Sequence, residues 1–237
     1  MLPLYYLEKV DSTNEKIMDF LKVNNESCAL FTLNQTNGKG QYGNRWLAEP
    51  GKNLAYSLAV EVSEISAHVE IFNFRTACLV RSFIAKMTNV QVNLKWPNDF
   101  IIQNKKVGGM LIERVKVNGT EYYIIGIGIN VLQQNFGGLS KAGSLFTQTG
   151  LSPDLHDFSK EFNRWMSEQI TRKVGAQEVL EKYNHNLFGR GRISVFEKEG
   201  VRQNGIVLKA DENGYLWIDL ERDGRQKFYH KQIQMLY

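Results

Sequence analysis

The residues best suited to chemistry lie in a basic, glycine-rich stretch at positions 35–46, which reads Gln-Thr-Asn-Gly-Lys-Gly-Gln-Tyr-Gly-Asn-Arg-Trp. Glycine tolerates positive φ and has no side chain, so backbone amides here can approach an anion closely. Lys39 and Arg45 add positive charge. The stretch therefore predicts a cradle for a phosphate or carboxylate, although a long surface loop between two strands has the same composition.

Two nucleotide-binding motifs are excluded by their context. Residues 38–43 match the dinucleotide pattern G-x-G-x-x-G letter for letter, but that motif requires a helix to begin at its end. Here Pro50 and Gly51 follow, and the next segment alternates like a strand. A Walker loop is excluded because no G-K-[ST] triplet occurs in the sequence.

Other polar residues lie at the ends of predicted strands or inside them. Residues 95–99 (Lys-Trp-Pro-Asn-Asp) end a short strand, because Pro97 cannot donate a hydrogen bond to a ladder. Its Asn and Asp suit a turn, or they present an amide and a carboxylate to a cleft. Glycines beside polar residues also interrupt residues 105–109 and 126–130, and glycine in a strand often marks a close ligand. We expect one shared site on a sheet face.

Composition limits the class of protein. The chain has 237 residues, 43% of them hydrophobic, which suits one sizeable domain with or without a small appendage. A net charge of +4 mildly favours anionic ligands and is not typical of a dedicated nucleic-acid binder. Cys28 and Cys78 lie in apolar surroundings and are predicted to be buried, reduced thiols. No signal peptide or membrane-spanning run occurs, so we expect a cytoplasmic protein.

Periodicity predicts the elements that position these residues. Strands are expected at 4–7, 28–33, 53–62 and 92–96, and a hairpin at 100–117 and 120–131 around Asn118-Gly119. Ser12 and Thr13 suit a helix N-terminus, where a hydroxyl can also bind a ligand. Further helices are expected at 67–87, 154–171 and 176–186, with a loop at 133–152. Short strands at 192–196, 205–209, 215–220 and 226–229 predict a small β-barrel, which divides the chain into domains 1–187 and 188–237.

The motifs at 11–14, 38–46, 95–99, 106–109 and 126–130 together resemble those of biotin–protein ligases, in the same order and over nearly the whole chain. The resemblance implies an α+β fold: a mixed sheet flanked by helices, related to class II aminoacyl-tRNA synthetases, with a C-terminal SH3-like barrel. It implies that biotin reacts with ATP to give biotinyl-AMP and pyrophosphate. The biotinyl group then passes to a lysine of a biotin carboxyl carrier protein domain, such as that of acetyl-CoA carboxylase. Mg²⁺ and a homodimer are further family expectations.

The resemblance also implies residue roles. Catalytic roles are expected for Lys39, Lys95, Asp99 and Lys106, because cations near the reacting anions stabilise the transition state and Asp99 can hold or accept the proton of the target lysine. The biotin site is expected to comprise Ser12, Thr13, Asn14, Gln35, Gly38, Lys39, Gly40, Gln41, Lys106, Gly108 and Gly109. The ATP site is expected to comprise Lys39, Asn44, Arg45, Trp46, Asn98 and Asn130. We expect no protein-bound metal cluster.

The chain departs from the family in two respects. Lys39, Gln41 and Asn44 stand where the family usually has three arginines, so the loop has lost charge and bidentate donors. We expect the intermediate to be retained less well, unless Arg45 compensates. The catalytic pattern begins within the first dozen residues, so an N-terminal DNA-binding helix-turn-helix, which some family members carry, is not expected. We therefore expect no DNA binding and no membrane binding.

Two alternatives remain open at this point. A lipoate or octanoate ligase or transferase of the same superfamily has the same core, and pocket shape distinguishes it. A catalytically silent ligand-binding adaptor would bind without turnover, and the presence of Lys39, Lys106 and Asp99 argues against it.

Overall fold

A computed structural model of the protein describes residues 1–237, apart from the side chain of Tyr42. The α-helices are α1 Thr13–Asn24, α2 Val69–Thr88, α3 Leu145–Thr149, α4 Leu155–Gln169 and α5 Ala176–His185. The strands are β1 Leu4–Tyr6, β2 Ala29–Thr32, β3 Gly38–Lys39, β4 Arg45–Trp46, β5 Asn53–Glu61, β6 Asn93–Lys95, β7 Asp99–Ile102, β8 Lys105–Val117, β9 Thr120–Asn130, β10 Ile193–Lys198, β11 Val201–Ala210, β12 Leu216–Leu220, β13 Gly224–Phe228 and β14 Gln234–Leu236.

Seven strands form one large mixed sheet in the order β1-β2-β5-β9-β8-β7-β6. Strands β1 and β2 run parallel, and the other neighbours are antiparallel. Successive side chains of a strand point to opposite faces of the sheet, so both faces of this sheet carry apolar side chains. Helices cover both faces. In β2, Phe31 joins the core beneath α2, α4 and α5, whereas Leu30 packs with Ile17 and Leu21 of α1. The predicted α+β fold with a mixed sheet flanked by helices is confirmed.

The aromatic stripe of α4 is part of the core, as its helical spacing predicts. The rings of Phe158 and Phe162 meet Phe83 of α2 edge to face, with centroids 5.3 and 5.0 Å apart. The predicted burial of both thiols is also confirmed, since Cys28 and Cys78 are free and buried.

The hairpin at Asn118-Gly119 is confirmed, and both residues have the positive φ of a type I′ turn. The prediction of one strand from Phe100 to Val117 is wrong. Gln103 and Asn104 also have positive φ, of 47° and 64°, and they turn the chain between β7 and β8. This turn contains no glycine, so the usual sequence signal for it is absent.

Three other expectations need correction. The predicted loop at 133–152 contains the short helix α3, whose N-terminus is closed by a capping box between Ser144 and Thr147. The glycine-rich loop contains a small hairpin of β3 and β4. The C-terminal unit has five antiparallel strands in the order β13-β12-β11-β10-β14, one more than predicted.

The C-terminal strands pack directly on the large sheet. Phe196 of β10, Val207 of β11 and Leu216 of β12 belong to the same hydrophobic cluster as Leu94 and Leu187. This packing brings the C-terminal strands to one side of the cavity described below. The SH3-like closure of these strands and the likeness to class II synthetases stay predictions.

Candidate active site

A cavity of about 660 Å³ lies on the face of the large sheet that carries α1. Its floor is β9, where Gly126 and Gly128 continue the face on which Tyr122 and Ile124 pack against α1. Its walls come from the start of α1, the glycine-rich loop, the facing ends of β6 to β8, and the C-terminal strands. The chemistry-bearing motifs of the sequence therefore meet in one place.

The start of α1 forms a polar corner of the cavity. The Thr13 backbone N–H donates to Gln35 Oε1 at 2.9 Å, and the Thr13 hydroxyl lies 3.1 Å from the same oxygen. Ser57 Oγ lies 2.7 Å from the Thr13 hydroxyl and 2.6 Å from Asn14 Oδ1. The Asn14 amide donates to Glu113 Oε2 at 2.8 Å. These bonds hold the polar groups in fixed orientations before any ligand arrives.

Ser12 is the N-cap residue of α1, but its side chain makes no capping hydrogen bond. The residue is 3% exposed and lines the cavity. Its hydroxyl therefore does not cap the helix. A ligand-binding role for Ser12 stays a prediction.

The glycines of the floor are required for close packing. A Cβ on Gly126 would stand 2.4 Å from Asn14 Oδ1, and one on Gly128 would stand 2.5 Å from Trp46 Cε2. Trp46 thus packs closely against the backbone of β9, and its indole nitrogen is buried without a hydrogen-bond partner within the described residues. An aromatic ring beside a cavity suits a planar ligand group.

Three charged side chains cluster where β6, β7 and β8 face one another. Lys106 Nζ and Asp99 Oδ1 form an ion pair of 2.5 Å, and Lys95 is paired with Asp99 across the β6–β7 ladder. Burial lowers the pKa of Lys95; the negative charge of Asp99 opposes this effect and the positive charge of Lys106 adds to it. A Cβ on Gly109 would stand 3.3 Å from Asp99 Oδ1, so glycine gives the carboxylate room.

The two cations of the glycine-rich loop have protein partners in this structure. Lys39 forms an ion pair with Glu15 of α1, and this pair raises the pKa of Lys39. An Arg45 guanidinium nitrogen lies 3.3 Å from Asn37 Oδ1. Both side chains line the cavity, so each can exchange its partner for an anionic ligand.

Most of the predicted site residues line the cavity: Ser12, Thr13, Asn14, Gln35, Lys39, Gly40, Gln41, Asn44, Arg45, Trp46, Lys95, Asn98, Asp99, Lys106 and Gly109. Gly38, Gly108 and Asn130 are not among the lining residues. A Cβ on Gly38 would stand 2.5 Å from Gln35 Nε2, and one on Gly108 would stand 2.7 Å from the Gly128 carbonyl. These two glycines therefore permit close packing behind the cavity wall.

Of the three asparagines assigned to ATP, Asn44 lies in the glycine-rich loop, and the other two differ in position. Asn98 lines the cavity, and its amide donates to the Met110 carbonyl at 2.5 Å. Asn130 is buried at the end of β9, where its amide donates to the Gly143 carbonyl at 2.9 Å. The side-chain oxygen of Asn130 is buried and has no hydrogen-bond partner within the described residues. A direct ligand contact of Asn130 would therefore require a shift of its surroundings.

Several residues at the site were missed by sequence reasoning. Ser57 and Glu113 hold Asn14, but within alternating strands they look like ordinary inward and outward positions. The C-terminal strands and the loops between them contribute His230, Lys231 and Gln234 to the cavity wall. No local pattern indicates that residues so far apart in sequence meet.

The lining has a strong charge bias. It includes the four lysines Lys39, Lys95, Lys106 and Lys231 together with Arg45, whereas Asp99 is the one carboxylate among the lining residues. A cavity of this kind attracts anions and stabilises negative charge that develops during a reaction. Within the described residues no group of three or more His, Cys, Asp and Glu side chains is arranged to hold a metal ion.

The chain has a mixed sheet with a polar corner and a cationic centre on one face. These features define the class of protein with which its sequence is compared. The sequence profile of the biotin/lipoate A/B protein ligase family matches residues 6–130, more than half of the chain. The chain belongs to this family, and the predicted resemblance is confirmed.

Particular relatives agree with this assignment. The bifunctional ligase/repressor BirA of Bacillus subtilis is 31% identical, over 98% of this chain and 74% of its own length. The biotin–[acetyl-CoA-carboxylase] ligase of Mycobacterium tuberculosis is 24% identical, over 82% of this chain and 74% of its own length. The structure of biotin protein ligase from Aquifex aeolicus in complex with biotin and ATP is 26% identical, with a TM-score of 0.80, and covers 100% of this chain and 99% of that one. None of the described helices is long and apolar enough to cross a membrane.

Proposed function

We propose that the protein is a biotin–protein ligase. It activates biotin with ATP to biotinyl-AMP, releases pyrophosphate, and transfers the biotinyl group to a lysine of a biotin carboxyl carrier protein domain. The observation that carries the proposal is one cavity with a fixed polar corner and a cationic centre. The chain also belongs to the biotin/lipoate A/B protein ligase family and is similar in structure to a biotin protein ligase in complex with biotin and ATP.

The polar corner favours biotin over lipoate or octanoate. The ring system of biotin carries a ureido group with donors and an acceptor, whereas the dithiolane of lipoate and the methyl end of octanoate offer none. Ser12, Thr13 and Asn14 are buried, and Gln35 beside them is partly buried. The Ser12 hydroxyl makes no capping hydrogen bond, and covering it with an apolar head would leave it unpaired, which costs about 1–3 kcal/mol.

The first step joins two anions. The carboxylate oxygen of biotin attacks the α-phosphorus of ATP, the bond to the bridging oxygen breaks, and pyrophosphate leaves. Lys106 would hold the acyl oxygen, while Lys39 and Lys95 would bind the carboxylate and the phosphates. Cations fixed beside the forming bond lower the barrier because they bind the transition-state charge. Lys39 would exchange Glu15 for this ligand charge.

The nucleotide would use the other half of the cavity. Trp46 would offer its ring to the adenine, and Asn44, Arg45 and Asn98 would add polar contacts. Mg²⁺ commonly binds through one or two carboxylates together with substrate phosphates. As an alternative to the proton role described below, Asp99, the one carboxylate of the lining, would help to hold Mg²⁺, which would supply positive charge beside the phosphates.

The second step is acyl transfer to the carrier lysine. Its nitrogen attacks the acyl carbon, AMP leaves with the anhydride oxygen, and the nitrogen loses a proton. A lysine with a pKa near 10.4 is mostly protonated at neutral pH and must first be deprotonated. Asp99 would hold or accept that proton, because its carboxylate borders the cavity and could exchange the Lys106 ammonium for that of the carrier lysine.

The division into a catalytic domain 1–187 and a small domain 188–237 is part of the proposal. Support comes from the separate five-stranded sheet of the C-terminal residues. Since Phe196 and Val207 share a hydrophobic cluster with the large sheet, we expect the two domains to unfold together.

ATP–pyrophosphate exchange tests the proposal, with biotin, lipoate and octanoate offered separately in the presence of Mg²⁺. Exchange that requires biotin is the expected result. Exchange with lipoate or octanoate instead would assign the alternative substrate. No exchange with any of the three acids would point to a silent binder and refute the proposed activity.

A further inference from the structure

Tyr237 joins the cationic centre from the C-terminal strands. The Lys95 ammonium lies 5.3 Å from the centroid of the Tyr237 ring, and the Lys141 ammonium lies 4.9 Å from it. Both distances are within the range of a cation–π contact. Phe188, which lines the cavity, meets the same ring edge to face with centroids 5.0 Å apart. Burial and the negative charge of Asp99 raise the pKa of Tyr237 to about 12, so its ring is a neutral phenol at physiological pH.

The surroundings of Lys95 explain why an aromatic partner matters. The negative charge nearby comes from Asp99 on the neighbouring strand, which is already engaged with Lys106 at 2.5 Å. Lys106 repels the Lys95 ammonium, and His230 lies close enough for Lys95 to lower the pKa of the imidazole. Burial also disfavours the charged form. The ring of Tyr237 adds an attractive face to the surroundings of Lys95 without adding a charge on the ring.

We infer that Tyr237 is a positioning residue for Lys95, whose ring keeps the lysine ammonium charged and held beside the cavity for the phosphates of ATP. The use of Lys95 in the reaction rests on the proposed function. The contact between the ring and the ammonium belongs to the free protein and can be measured without substrate.

The test compares Tyr237→Leu with Tyr237→Phe. Leucine keeps the site apolar and removes the ring, whereas phenylalanine keeps the ring and removes only the hydroxyl. In pyrophosphate exchange with biotin, we expect kcat/KM for ATP to fall about 5- to 10-fold in the leucine variant and less than about 2-fold in the phenylalanine variant. The alkaline limb of the pH profile should move to lower pH only with leucine, because the ammonium loses a stabilising partner. Biotin affinity, measured by calorimetry, should stay unchanged in both variants.

A second readout does not depend on catalysis. The protein is labelled with lysine carrying ¹³C at Cε, the Lys95 signal is assigned with Lys95→Arg, and its titration is followed by NMR. The Lys95 pKa should be lower in the leucine variant than in the wild type and in the phenylalanine variant. Should Tyr237→Leu fail to fold, as judged by circular dichroism, Tyr237→Met provides the same comparison.

The two readouts separate the possible failures. Coincident Lys95 titrations in all variants would overturn the positioning role, even if the wild type exchanges pyrophosphate with biotin. A wild type without exchange but with the expected NMR shift would refute the proposed function and leave the positioning role supported. A fall in kcat/KM with phenylalanine as large as with leucine would assign the effect to the hydroxyl and overturn the inference.

Discussion

Replacing Lys106 with methionine tests the central ion pair of the site. The substitution keeps the length of the side chain and removes its charge, so the Asp99 carboxylate loses its 2.5 Å partner. The Asp99 side chain is only 17% exposed, whereas that of Lys106 is 37% exposed. Loss of its partner therefore costs more free energy for the Asp99 carboxylate than for the Lys106 ammonium.

The intermediate burial of the pair determines how much stability its loss should cost. Exposed pairs contribute about 0–1 kcal/mol, and breaking a buried pair costs about 3–5 kcal/mol. We expect Lys106→Met to lower the free energy of unfolding by about 2 kcal/mol, because Lys95 still neighbours Asp99 across the ladder. For a chain of this size that corresponds to a fall of about 4–8 °C in Tm. The exchange rate should fall about 10²- to 10³-fold, as when one donor to a developing negative charge is removed.

A double-mutant cycle with Asp99→Asn separates the two effects. Removing both charges leaves no unpaired carboxylate, so Asp99→Asn/Lys106→Met should be more stable than Lys106→Met alone. We expect a coupling energy of about 1–2 kcal/mol from urea denaturation, while pyrophosphate exchange stays at the level of the worse single variant. Strictly additive losses of stability would refute this account of the pair. Recovery of exchange in the double variant would refute the catalytic role of Lys106.

Other predictions concern the floor of the cavity and the core. Gly128→Ala would place a Cβ 2.5 Å from the Trp46 ring, so we expect ATP binding by calorimetry to weaken about 10-fold with little change in biotin affinity. Ser57→Ala removes the donor to Asn14 Oδ1 inside the buried network, and urea denaturation should report a loss of about 1–3 kcal/mol. Burial raises the pKa of Cys78 to about 12, so its thiolate is scarce at pH 8; a disulfide reagent should modify it only after denaturant is added.

Local patterns predicted the hairpin at Asn118-Gly119 and missed the turn at Gln103-Asn104. Asn118-Gly119 is a strong signal for a type I′ turn, and the turn lies there. Gln103 and Asn104 adopt the same positive φ without glycine, because the pairing of β7 with β8 on a buried sheet holds them there. Tertiary pairing overrides the local preference at this turn.

The same distinction explains which site residues could be found from sequence. Glycines, lysines and an Asn-Asp pair at strand ends signal a site through their own chemistry, and most of them line the cavity. Glu113 was missed because a carboxylate at an exposed strand position looks like ordinary surface. Lys231 and Tyr237 were missed because they reach the site only through the packing of the C-terminal strands on the large sheet. The pairing of Lys39 with Glu15 likewise depends on how the loop folds back on α1.

Gln41 provides the most direct test of how firmly this site holds its intermediate. It stands in the glycine-rich loop where the family usually has arginine, it lines the cavity, and its side-chain oxygen is buried without a hydrogen-bond partner within the described residues. Gln41→Arg would add a charge-assisted contact to the adenylate, worth about 1.5–3 kcal/mol, so biotinyl-AMP release should slow about 10- to 100-fold. Release is measured by rapid filtration after a single turnover without acceptor, with Gln41→Leu as the uncharged control. Equal release rates in the wild type and Gln41→Arg would show that the lost arginine does not limit retention, and slowing by leucine alone would assign the effect to packing.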